Sequence, residues 1–81
     1  MSDTLERVKR VTAELLKIEP GKVKDNSRFV EDLGAESIQS IELVAAFEEE
    51  FDIEMDEDAA LAVKSVGDAT KFIDNVLVEK Q

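Results

Sequence analysis

A single serine, Ser37, stands where a glycine-containing turn runs into a long helix, in the stretch Leu33-Gly34-Ala35-Glu36-Ser37-Ile38. Helix N-termini present unpaired N–H groups and a partial positive charge, so an anion attached there sits in a favourable field. The gain is roughly 0.3–1 kcal/mol and salt screens it. The position therefore suits a phosphate ester on the Ser37 hydroxyl without requiring one. Serine is also a favoured helix N-cap, and from the local pattern alone that simpler role wins. The two roles do not conflict, because an ester oxygen keeps some acceptor capacity.

Other chemistry is thinly represented. The chain has no Cys and no His, which excludes a disulfide framework, a thiolate zinc site, a thiol nucleophile and an imidazole base. Asp52-x-Glu54-x-Asp56 has the start of a calcium loop, but Glu57 stands where that loop needs Gly and Val63 where it needs a bidentate Glu. No metal site is assigned.

The elements that must position Ser37 are helical. Leu5, Val8, Val11, Leu15 and Leu16 form a 3.6-residue stripe, Asp3 and Glu6 have capping-box spacing, and Pro20-Gly21 ends the segment. This predicts a first helix over about residues 3–17. A long connection follows to Glu36, polar at Lys22 to Arg28, with Phe29, Val30 and Leu33 expected to pin it to the core. Gly34 is placed to take a positive φ. A second helix is predicted from Ser37, as its N-cap, with Ile38, Ile41, Val44, Ala45, Phe47 and Phe51 spread over an arc wide enough for several packing neighbours. A short third helix over about Glu57–Val63 would bury Leu61 and Val63. The last helix starts after Ser65, whose spacing to Asp68 is again that of a capping box, and carries the stripe Val66, Ala69, Phe72, Ile73, Val76, Leu77. The fold class is all-α: a small antiparallel four-helix bundle with a short third helix and a long loop between helices 1 and 2. Residues 1–81 are read as a single domain, since 81 residues make one small core.

The formal charge is −10, from 20 acidic and 10 basic residues. Such an excess repels nucleic acid and anionic membrane and attracts basic partners. No apolar run is long enough to cross a bilayer. The N-terminus has neither an apolar signal segment nor an Arg-rich transit sequence, so a cytoplasmic monomer is expected.

The run Phe29-Val30-Glu31-Asp32-Leu33-Gly34-Ala35-Glu36-Ser37-Ile38, continued by Ile41-Glu42-Leu43 and Glu48-Glu49-Glu50-Phe51-Asp52, resembles the acyl carrier proteins of bacterial type II fatty acid synthesis. The resemblance covers nearly the whole chain. It implies that Ser37 is the serine to which a phosphopantetheinyl transferase attaches 4'-phosphopantetheine, whose thiol carries acyl groups as thioesters. It also implies that the protein is not an enzyme and presents its cargo to fatty-acid-type enzymes bearing basic patches. The partner face implied is Glu36, Ile38, Ile41, Glu42, Ala45, Glu48 and Glu49. An acyl pocket would be lined by Phe29, Val30, Phe47, Met55, Val63 and Ala69. A phenyl ring at position 47, where many relatives have an aliphatic residue, predicts a pocket small or closed when unloaded and suited to short or medium chains.

The chain departs from the family pattern beside the serine. It has Glu36-Ser37-Ile38 where Asp-Ser-Leu is usual, Gln39 where many members have Asp, and Ala45 where many have Met. These changes point to a specialised or secondary carrier. Two rival readings stand beside it: an acidic interaction module without a cofactor, and a carrier of aminoacyl, peptidyl or polyketide intermediates, which shares the serine-bearing helix.

Overall fold

A computed structural model describes residues 3–56, 58 and 63–80. Among them are three α-helices and no strand: α1 at Asp3–Leu16, α2 at Ser37–Phe51 and α3 at Val66–Lys80, with a 3₁₀ turn at Pro20–Lys22. The expected short helix over Glu57–Val63 falls mainly on residues outside those described, Leu61 among them.

Sequence dictates most of this architecture locally. α1 buries Val8 and Val11 and half-buries Leu5, Leu15 and Leu16, the stripe its periodicity requires. It already includes Asp3, so Asp3 is a first-turn acid and not a cap. Its end comes before Pro20: Lys17 turns into the left-handed region at φ 58°, and the Ile18 N–H reaches back to the Ala13 carbonyl at 3.0 Å. α3 begins as its spacing implies, with the Asp68 N–H donating to Ser65 Oγ at 3.1 Å.

α1 packs against both α2 and α3. The shared core is closed by Val8, Leu43, Phe47, Val66, Ala69 and Ile73, and each large apolar side chain buried in it contributes about 1.5–3 kcal/mol. Two buried threonines keep this core free of unmet polar groups. Thr12 donates to the Val8 carbonyl at 2.7 Å, and the Thr4 hydroxyl donates to the Asp74 carboxylate, tying α1 to α3.

The long connection is less polar in place than in composition. Val23 and Ser27, inside the stretch read as polar, are buried. Ser27 Oγ accepts from the Lys24 N–H at 2.9 Å, and its carbonyl accepts from the Val66 N–H at 2.9 Å. The Phe29 N–H donates to the Lys64 carbonyl at 3.0 Å, and Arg28 and Ser65 form an isolated antiparallel bridge. The loop before α2 is thus fastened to the segment that leads into α3.

Candidate functional site

The turn that delivers Ser37 is held by its own backbone. The N–H groups of Asp32 and Leu33 both reach the Arg28 carbonyl at 3.0 Å, Gly34 reaches Val30 at 3.1 Å, and Ala35 reaches Phe29 at 2.8 Å. The Asp32 carboxylate closes the ring by accepting from the Arg28 N–H at 2.9 Å. That bond and the Arg28 guanidinium hold the Asp32 carboxyl below its usual range. Gly34 sits at φ 73°, the left-handed conformation that glycine adopts without a Cβ penalty. Phe29 and Ala35 are buried, so the turn is anchored at both ends.

Ser37 is not the N-cap. Glu36 holds that place in extended conformation, and Ser37 is the first residue of α2. Glu36 and Gln39 form a capping box in which the Gln39 side-chain oxygen accepts from the Glu36 N–H at 2.9 Å. The reason is spacing: a carboxylate followed three residues later by an amide satisfies both ends of the box, which serine one position later does not. The Ser37 hydroxyl is therefore exposed at a helix N-terminus, with no hydrogen bond to another described side chain or backbone group.

Around it lies an apolar surface that periodicity assigned to packing. Ile38 is 65% exposed, Ile41 69% and Val30 54%, and Ala45 is exposed as well. Among the described residues α2 buries Leu43, Phe47 and Phe51, with Val44 and Ala46 half-buried beside them. The expected partner residues Glu36, Ile38, Ile41, Glu42, Ala45 and Glu49 are all exposed. Glu48 differs: its carboxylate turns back and accepts from the Met55 N–H at 2.8 Å.

A cavity of about 690 Å³ opens beside Ser37. Five of the six expected residues line it: Phe29, Val30, Phe47, Met55 and Val63. Ala69 is fully buried in the core and is not among the lining residues. Leu43 and Val44 contribute instead, with Ile41 and Ser37 at the wall, because α2 presents its i+3 and i+4 neighbours to one side. The cavity is neither small nor closed. Phe47 lies tilted at 45° to Phe29, ring centroids 6.2 Å apart, so its ring packs against another aromatic and leaves the space beside it free.

The acidic stretch after α2 does not converge on a cation. Asp52 caps α2 in the left-handed region at φ 53°, Ile53 and Met55 point inward, and Asp52, Glu54 and Asp56 are exposed. Among the described residues no three carboxylates come together as metal ligands. Charge is segregated along the chain: residues 29–63 contain no Lys or Arg, whereas Arg7, Lys9, Arg10, Lys17, Lys22, Lys24 and Arg28 precede them. At the seam, Glu50 accepts from Arg7 Nε and from Arg10, each at 2.7 Å, and the Arg7 guanidinium lies 4.3 Å over the Phe51 ring. The Arg7 hydrogen bond, with Arg10 behind it, holds the Glu50 carboxyl below its usual range against partial desolvation. Spacing within one helix gave no signal of this cluster, since its members are about 40 residues apart.

Ser37 is thus an exposed residue at a helix N-terminus, beside an apolar rim and a cavity. The phosphopantetheine attachment site family matches residues 6–73. The chain is 55% identical over 73 residues to the acyl carrier protein of Phenylobacterium zucineum, covering 90% of this chain and 92% of that one. It is equally similar to the acyl carrier protein of Caulobacter vibrioides, with 94% of that protein covered. The acyl carrier protein of a Bradyrhizobium species is 54% identical over 74 residues, covering 91% of this chain and 94% of its own length. The chain belongs to the acyl carrier protein family, whose members are non-catalytic carriers bearing phosphopantetheine. The residues at Ser37 would suit that group: an exposed hydroxyl could form the ester, a helix N-terminus favours a phosphate, and the exposed Val30 and Ile41 could offer apolar contact. Among the described residues no helix is long and apolar enough to cross a membrane.

Proposed function

We propose that this chain carries acyl intermediates on Ser37 and delivers them, in the cytoplasm and as a monomeric single domain, to fatty-acid-synthesis-type or related biosynthetic enzymes. The observation that carries the reading is the free Ser37 hydroxyl at the start of α2, within a chain of this family. When attached, phosphopantetheine supplies a terminal thiol that holds the acyl group as a thioester. The chain's own residues present and shelter it. Glu36, Glu42 and Glu49 steer basic surfaces of the transferase and of client enzymes, while Ile38, Ile41 and Ala45 supply the apolar contact that such docking buries. The capping box of Glu36 and Gln39, in place of the family's usual residues, adapts this face to particular clients and marks a specialised carrier.

Intact-mass and peptide analysis after incubation with a phosphopantetheinyl transferase tests the attachment. One adduct on Ser37 is expected, none on Ser27 or Ser40, and none in Ser37→Ala, whose melting temperature should match the wild type. An adduct that survives in Ser37→Ala refutes the reading.

The Phe29–Phe47 pair lines the cavity beside Ser37, and as its floor it sets how deep an acyl chain runs. Melting temperatures across a series of acyl lengths should rise and then level off in the wild type. In Phe47→Leu the rise should continue to longer chains. Equal stabilisation of both proteins by long chains removes Phe47 as the limit.

A further inference from the structure

Glu48 lies among the acidic residues of α2 that face solvent, yet it is bonded inward. Its carboxylate accepts from the Met55 N–H at 2.8 Å across seven residues. Its backbone carbonyl accepts from the N–H groups of Asp52 and Ile53, the latter at 3.1 Å. One residue therefore organises the whole turn that follows α2. That turn places Met55, buried, against the cavity, and Glu48 itself lines the same space. No regular secondary structure supports the segment from Ile53 to Asp56; the burial of Ile53 and Met55 and the bonds to Glu48 hold it against α2. A carboxylate accepting a backbone N–H is a strong, charge-assisted acceptor.

We propose that Glu48 is a positioning residue of the cargo cavity: it latches the 52–55 turn so that Met55 forms the cavity wall, and it does not act as a docking charge. This rests on the reading that the cavity shelters the acyl chain. The latch needs an acceptor oxygen at this position; the negative charge strengthens it but a neutral amide oxygen serves in part. Met55, with its flexible thioether, then adjusts to cargo within a wall whose backbone stays in place.

The experiment compares Glu48→Ala, Glu48→Gln and Glu49→Gln, each unloaded and each with an octanoyl thioester on its Ser37 arm. Hydrogen exchange of the Met55 amide, read by NMR in the unloaded proteins, should be about tenfold faster in Glu48→Ala, as expected for loss of a hydrogen bond to a charged group. In Glu48→Gln, which keeps a neutral and weaker acceptor oxygen, it should rise only about threefold, and in Glu49→Gln it should stay within about twofold of wild type. Cleavage of the octanoyl thioester by hydroxylamine should follow the same order. Unchanged Met55 exchange in Glu48→Ala overturns the proposal, as do equal effects of Ala and Gln, which would mean that charge alone matters. Faster Met55 exchange without faster cleavage overturns the proposal and leaves sheltering intact. A wild type whose thioester reacts as fast as free octanoyl-pantetheine overturns sheltering, and with it the role given to Glu48.

Discussion

α1 and α2 are nearly equal in length, 14 and 15 residues, and both rest on the same core, but they sort their apolar residues differently. In α1 every large apolar side chain is buried or half-buried. In α2 Leu43, Phe47 and Phe51 go inward while Ile38 and Ile41 stand out in water. α1 is built for the fold. α2 serves the fold on one face and leaves on the other an apolar surface that folding alone does not call for. Scattered exposed apolar residues are ordinary; what distinguishes these is their place beside a free serine and a cavity.

The comparison breaks most sharply if the two faces of α2 prove energetically alike. Leu43→Ala should cost about 2–5 kcal/mol, as for other buried leucines. Ile41→Ala, two residues away and largely exposed, should stay within about 0.5 kcal/mol. Urea denaturation of both variants checks this, and similar midpoints would contradict the sorting of faces described here. Next in size is the outer face's effect on partners. Glu42→Lys and Glu49→Lys lie seven residues apart on one side of α2. Each should slow transferase loading of Ser37 by about tenfold at low ionic strength, with the difference from wild type shrinking as salt rises. A loading rate indifferent to both substitutions and to salt would remove electrostatic docking.

The smallest effect sharpens the α1 side. Glu50→Gln removes the carboxylate shared by Arg7 and Arg10 and should cost about 1 kcal/mol or less at neutral pH, because the cluster is partly exposed. Glu50's carboxyl is held below its usual range in the folded protein. The stability it adds is therefore complete above the ordinary carboxylate pKa of about 4.3 and disappears as pH falls through the lowered value. Wild type and Glu50→Gln should differ at pH 7 and converge in acid. A constant gap across that range would show that the carboxylate's charge is not the cause.

Much of this was legible before any coordinates. The existence of the three helices and the positive φ of Gly34 follow from spacing and turn chemistry, which act over a few residues. What spacing could not show was which of two apolar faces is covered, since Ile41 and Leu43 are equally apolar as letters. Serine's preference for capping points to Ser37, and Glu36 takes the place because Gln39 lies three residues on. Glu48 read as one more surface acid, and only its reach to Met55 sets it apart. Ala69 was assigned to the cavity by resemblance, but the packing of α3 against α1 takes it into the core.

The separation of charge along the chain has a consequence for motion. With no base between residues 29 and 63 and seven bases before them, the molecule does not present a uniform negative field. In the field of a cationic surface such a body feels a torque as well as a pull, and tumbling is biased before contact is made. The outer face of α2, with Glu42 and Glu49 exposed on it, swings forward. Fewer collisions are then wasted on the wrong orientation, so a small carrier that docks on basic surfaces, as proposed above, would gain part of its speed from rotation.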